Sequence, residues 1–392
     1  MKRLSVLLLS VLAMSLPASA AWVNVTGALA GKSCACGGVY CMMAVPNQDK
    51  VIIGICGNLG LFATTDNGTS WQALGASTGW VDPQGIVFDK DNPDIFWECG
   101  IHGGAVHKST NGGTAFTILA GVNGGDGMGV DMSDPLRKTI VVGSHESSGI
   151  RKTADGGSTW TDITAGTSGW TNFPVVLSSQ IFLVGGANGA GVFRTTNAGS
   201  GWTKVSSVSP SWDPLVTSNG TVYFTAGGST VLRSSDQGAT WTAMTKASNT
   251  QGGNYAPIEM PDGSIVTLGA NSLIQCSDGK TWSTIVNSWP AGVSSLLQSN
   301  IAYNSVEKAF YVSFWDCTQT VPAKAIWKYG MSSSGTTVRE RLNRSSAISG
   351  KNKIVVTNGQ RIFASTEMFN LFGRKLQSAD KAGIGISIAR VR

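Results

Sequence analysis

One short motif recurs six times along the chain and limits what it can fold into more than any other feature. The copies are Thr64-Thr-Asp-Asn-Gly-Thr-Ser-Trp71, Ser109-Thr-Asn-Gly-Gly-Thr-Ala-Phe116, Thr153-Ala-Asp-Gly-Gly-Ser-Thr-Trp160, Thr195-Thr-Asn-Ala-Gly-Ser-Gly-Trp202, Ser234-Ser-Asp-Gln-Gly-Ala-Thr-Trp241 and Cys276-Ser-Asp-Gly-Lys-Thr-Trp282. Their final aromatics fall 45, 44, 42, 39 and 41 residues apart. A period in the low forties is that of a four-stranded propeller blade. Within each copy the Asp or Asn can accept hydrogen bonds from turn amides, the glycine supplies a positive φ, and the aromatic has a flat face to bury.

Runs of β-branched and aromatic residues supply strands around each copy. In the second unit Gly85-Ile-Val-Phe-Asp89, Asp94-Ile-Phe-Trp-Glu98 and Ala105-Val-His-Lys108 read as three strands leading into the motif. Two further units lack it: Ala309-Phe-Tyr-Val312 with Ala325-Ile-Trp-Lys328, and Arg361-Ile-Phe-Ala364 with Leu371-Phe-Gly-Arg374. The count favours an all-β fold, a single β-propeller of eight four-stranded antiparallel blades over residues 21–392, with seven blades as the alternative. The segment Ala21-Trp-Val-Asn-Val-Thr26 resembles the strand that follows a motif and is expected to complete the final blade, which removes open sheet edges.

The pattern Ser/Thr-x-Asp-x-Gly-x-Thr-Trp resembles the Asp-box, or BNR repeat, of sialidases, xyloglucanases and sortilin-like propellers. That resemblance implies the propeller fold and leaves the activity open.

Residues 1–20 carry Lys2 and Arg3, an apolar run and a small-residue ending, the features of a secretory signal peptide. The protein is therefore expected to be secreted, or periplasmic in a Gram-negative cell. The net charge of +6 is spread along the chain without a Lys/Arg cluster. That argues against a nucleic-acid partner, and no apolar run is long enough to span a bilayer. A monomer is expected. Seven cysteines, at 34, 36, 41, 56, 99, 276 and 317, leave disulfides open, since their pairing cannot be deduced from spacing. No cofactor or metal is called for, although a structural or substrate-bridging Ca2+ stays open.

Because propeller strands alternate in direction, the motif turns share a face with the turns between first and second strands. Chemistry is sought on the other face. There the loops leading into new blades repeat an aromatic ahead of a proline, placing Trp80 and Asp82, Trp170, Trp212 and Asp213, Tyr255 and Trp289 at one mouth of the channel. Flat aromatics at a wet surface suit sugar rings, and they equally suit wedges between blades.

The turns between second and third strands carry the ionisable groups: His102, His145 with Glu146, and Trp315 with Asp316. Asp126 joins them from the Asn123-Gly-Gly-Asp-Gly127 loop. Two of three histidines thus occupy equivalent turns of adjacent blades, where an imidazole can serve as general acid or base. His107, on a strand, reads as structural.

The candidate catalytic set is His102, His145, Glu146 and Asp126, with the aromatics and Asp82, Asp213 and Asp316 binding substrate. Phe193-Arg-Thr-Thr196 is not the sialidase Phe-Arg-Ile-Pro segment, and no arginine lies on the candidate loops. Ile101-His-Gly-Gly-Ala-Val-His107 resembles the acid loop of xyloglucanases but has Ile or His where those carry Asp. Asn123-Gly-Gly-Asp-Gly127 resembles their second acid loop. Propeller-fold polysaccharide lyases are similar in using a loop histidine at the channel mouth. The expected activity is cleavage of an extracellular, uronate-containing polysaccharide or oligosaccharide by His-assisted β-elimination. A xyloglucanase-like hydrolase and a non-catalytic lectin or adhesion propeller are the alternatives.

Overall fold

The second strand of each unit is apolar at nearly every position, so neither of its faces can be left to water. In the computed structural model Val51–Ile55, Phe96–Gly100, Phe182–Gly186, Val222–Ala226 and Ile265–Gly269 are buried along their whole lengths. By contrast, the outermost strands Gln72–Ala73 and Thr161–Asp162 are exposed. The structure describes residues 21–331, apart from 35–37, 76–79, 81, 103, 146–148, 212–213, 247–255, 295 and 317. These residues lie in the first of two compact units, Met1–Ser332; the second, Ser333–Arg392, falls outside the described residues.

Each four-stranded sheet is an antiparallel meander running outward from the channel. Blades 1 to 6 span 39–73, 83–123, 125–162, 173–206, 215–245 and 258–286. Blade 7 takes Leu297–Asn304, Ala309–Trp315 and Ile326–Gly330 from one end of the chain and Trp22–Asn24 from the other. Trp22, Val23 and Asn24 pair with Tyr329, Lys328 and Trp327. The Ile326 amide then donates to Thr26 Oγ1 at 2.9 Å.

The propeller therefore has seven blades, and the expectation of eight is corrected. Seven apolar clusters sit one at each junction between neighbouring blades. The first joins Val39 and Met42 of blade 1 to Ala302 and Tyr311 of blade 7, so the circle closes with nothing between them. The N-terminal strand does complete the last blade, but that blade is the unit at 297–330. The segment at 361–374, counted from sequence as an eighth unit, lies outside the described residues.

The recurring motif forms its turn as its chemistry requires. In blade 3, Asp155 Oδ1 accepts from the amides of Ser158 and Thr159, and Thr153 Oγ1 from that of Gly157. Trp71 and Trp202 donate from Nε1 to Val25 O and Ile163 O of the preceding blade, both at 2.7 Å, and so wedge the rings between blades. Asn111 and Asn197 accept the same turn amide, from Ala115 and Gly201, that aspartate accepts elsewhere.

Hydroxyl and amide donors hold the aspartates below the usual carboxylate range. Thr240 acts most strongly on Asp236, placed at about 2, and Ser70 and Thr159 act on Asp66 and Asp155. A lowered folded-state value stabilises above the unfolded value of about 3.9, and that stabilisation is lost as pH falls toward about 2. The triple variant Asp66→Asn/Asp155→Asn/Asp236→Asn is expected to show a shallower loss of thermal stability across that window. An unchanged acid limb would place the sensitivity elsewhere.

Turn bonds sort the loops into two faces. On one, the motif turns bond to the turns between first and second strands: Gly112 N to Asp94 O, Gly156 N to Lys138 O, and Ala198 N to Gln180 O. Arg137 fastens blades 2 and 3 on this face, donating to Asp89 through Nε at 2.9 Å and Nη2 at 3.0 Å. On the opposite face the turns between second and third strands meet the entries to new blades, as His145 N donates to Gly124 O and Gly124 N to Gly104 O.

Candidate active site

Three entry segments on that opposite face each deliver a polar side chain beside the first strand of a blade: Asp82 before blade 2, Asp126 within Gly125–Val130 of blade 3, and Asn172 before blade 4. All three are buried. Glycine makes the approach possible. A Cβ on Gly143, in Ile140–Ser144 of blade 3, would stand 2.3 Å from Thr171 O and 2.5 Å from Asn172 O, both backbone atoms.

Asp82 and His102 sit in the left-handed region, at φ 44° and 50°, which costs energy in residues with a Cβ. Backbone bonds hold this shape: Ile101 N donates to Asp82 O, and Asp82 N to Gly57 O. The Gly57 amide also donates to Asp82 Oδ1. That leaves Oδ2 for His102 Nδ1, at 2.6 Å.

The next blade builds a second copy of the same pair. His145 Nδ1 meets Asp126 Oδ1 at 2.5 Å, and Asn172 Nδ2 donates to Asp126 Oδ2 and to Ser144 O. The two imidazoles face each other edge to face, with centroids 4.6 Å apart and planes at 83°. A carboxylate can only accept, so each Nδ1 carries its proton and each neutral ring keeps a lone pair on Nε2. Exposure divides the roles. The side chains of His102 and His145 are 51% and 24% exposed, against 7% and 12% for Asp82 and Asp126, so the imidazoles and not the carboxylates are open to the mouth.

The sequence placed His102, His145 and Asp126 at one mouth, and the structure brings them together. Asp82, expected to bind substrate, is the partner of His102. Asn172 went unrecognised, although a common spacing marks both: Trp80-Val-Asp82 and Trp170-Thr-Asn172. Glu146, Trp212, Asp213 and Tyr255 lie outside the described residues.

The expected platform of aromatics is not continuous among the described residues. Trp80 is buried in the wall, 4.6 Å from the His107 ring and 4.9 Å from Phe116. Trp289 is wedged between Trp22 and Phe314, each at 5.6 Å. Trp170 is half-buried, as is Trp315, whose Cβ packs over Gly38. Asp316 accepts from the Thr318 amide at 3.0 Å within its own turn. His107 is buried and paired to Glu98 at 2.8 Å, and burial pushes the Glu98 carboxyl up. No cluster of three or more potential metal ligands occurs among the described residues.

No family model and no curated protein matches the sequence. Solved structures match the fold. A catalytically inactive histidine-to-alanine variant of virginiamycin B lyase from Staphylococcus aureus, crystallised with quinupristin, aligns with a TM-score of 0.58 at 13% identity, over 80% of this chain and 99% of that one. A GH74 enzyme from Niastella koreensis aligns at 0.55 and 16% identity over 76% of this chain and 43% of that one. The GH74 xyloglucanase from Xanthomonas campestris aligns at 0.55 and 13% identity, with shares of 76% and 44%. The chain thus spans less than half the length of these GH74 enzymes. At such identities the likeness shows a β-propeller fold shared with carbohydrate-active and lyase propellers.

Proposed function

We propose that the chain is an exported lyase that cleaves a uronate-containing polysaccharide or oligosaccharide by β-elimination at the His102–His145 mouth. The observation that carries this reading is the pair of adjacent imidazoles, each backed by a buried carboxylate. A two-carboxylate hydrolase needs its acids exposed to the glycosidic bond. Here both are turned toward histidine.

The chemistry asks one ring to act as base and its neighbour, in the protonated form, to act as acid. The neutral Nε2 takes the proton from C5 of the uronate, a carbon acidified by its neighbouring carboxylate. The released pair forms the C4–C5 double bond and the C4–O bond breaks. The departing oxygen takes a proton from the other imidazolium, whose charge also favours the developing enolate. Two neighbouring rings approach from one side, so base and acid act on the same face of the sugar and the elimination is syn.

The fold shared with virginiamycin B lyase, a variant of which lost activity with one histidine, supports a histidine-dependent elimination. The GH74 likeness supports a glycan substrate, and hydrolysis is the second reading. A panel of uronate-containing polysaccharides separates the two. Ultraviolet absorbance of an unsaturated uronate is expected. New reducing ends without it would identify a hydrolase, and binding without either product a lectin.

A further inference from the structure

The channel below this mouth is not the polar, open bore that a ring of strands could leave. Its first strands enclose a cavity of ≈ 360 Å³ lined by Met42, Met43, Met128, Ile86, Leu215 and Ile301, contributed by five of the seven blades. That volume is at the lower end of the roughly 300–1,000 Å³ of small-molecule pockets. Methionine, unbranched and polarisable, adapts to flat rings and makes favourable contacts with them.

Besides Glu259 and Tyr303, the polar side chains of the lining come from one set of strand irregularities. In four consecutive blades around the ring, 7, 1, 2 and 3, the pairing of first and second strands slips near its start. The slips fall between Gln298 and Ile301, Val39 and Cys41, Pro83 and Gly85, and Gly125 and Gly127. Each slip sets a residue outside the regular strand register, a device that re-aims a side chain. The residues so released include Asn300, Tyr40, Gln84 and Asp126. The first three line the cavity, and the fourth holds His145. Asn300 is fixed across the blade 7 to blade 1 junction, donating to Val39 O at 2.9 Å. A polar collar at the level of the two histidines thus stands over an apolar well.

We propose that this well is a binding site for one compact aryl or short alkyl group carried by a ligand whose polar remainder stays at the collar. An ester or ether substituent on a sugar has that chemistry, and so has a small amphipathic arene. The well is too small for a sugar chain, its walls are mostly apolar, and the Glu259 carboxylate that also lines it is already bonded to the Ser218 amide and hydroxyl, so an apolar group displaces water there at little polar cost.

Methionine-methyl NMR with naphthalene-2-sulfonate as probe tests this directly. Saturable ring-current shifts are expected for the Met43 and Met128 methyls, assigned through Met43→Leu and Met128→Leu. The Met244 methyl, in the outer strand Thr242–Thr245 of blade 5, should stay in place. Met43→Glu, at an exposed position that tolerates a charge, should weaken binding at least tenfold by setting a carboxylate against the probe. Absence of saturable shifts, shifts confined to other methionines, or unchanged affinity in Met43→Glu would overturn the proposal. The readout needs no turnover. Binding retained in His102→Ala separates the well from the elimination chemistry, and either can fail without the other.

Discussion

If the proposed elimination holds, Asp82→Asn is expected to lower turnover of a uronate substrate by about 10²- to 10⁴-fold while the ring stays folded, as far as His102→Ala lowers it. The size of Asp82 is kept in the asparagine variant, and the bond from the Gly57 amide can be kept by its carbonyl oxygen. What changes is the atom facing His102. An amide nitrogen donates to Nδ1, so the imidazole must carry its proton on Nε2, and the atom meant to abstract a proton becomes a donor. A merely structural pair would tolerate this exchange. Thermal unfolding should therefore be near that of the wild type, with the loss in kcat. Full activity in both variants would remove His102 from the mechanism. Activity lost in Asp82→Asn only with loss of the folded state would make the pair a strut.

The largest stability effect should come from the opposite face. Arg137→Met is expected to cost about 3 kcal/mol or more, because it leaves Asp89 buried without its cation. Asp89 is 6% exposed and Arg137 6%. The guanidinium makes two bonds to that carboxylate, a third to Asp91 and a fourth to Asp134 O. Arginine also takes a positive φ of 51° there, within a turn closed by its own amide donating to Asp134 O. The double variant Arg137→Met/Asp89→Leu should recover part of the loss, since no charge then remains stranded. Denaturant titration measures both. A single variant within about 0.5 kcal/mol of wild type, the range of ordinary surface changes, would show the pair to be dispensable.

The sequence carried the blade but not the number of blades. Strand patterns are local, and Val51–Ile55 or Ile265–Gly269 could be read from five residues. Arg361-Ile-Phe-Ala364 reads equally well, and a local signal does not count blades. The count of seven rests on Trp22 pairing with Tyr329, a choice between distant partners.

The site divides along the same line. Periodicity alone put His102 and His145 on equivalent turns, which was enough to make them neighbours. The bond from Asp82 to His102 depends on left-handed backbone at two non-glycine residues, which no pattern announces. Trp80 shows the reverse error. An aromatic before a proline describes a platform and a wedge alike, and burial against His107 makes it the wedge.

The closing strand also sets an order in time. Thr26 and Ile326 are 300 positions apart, so the first strand of the propeller to be synthesised is the last to find its partner. At translation rates of roughly 5–20 residues per second that interval is about 15–60 s. Throughout it the edge of each newly finished blade is open, and a chain interrupted before Ile326 can stack blades but cannot lock them.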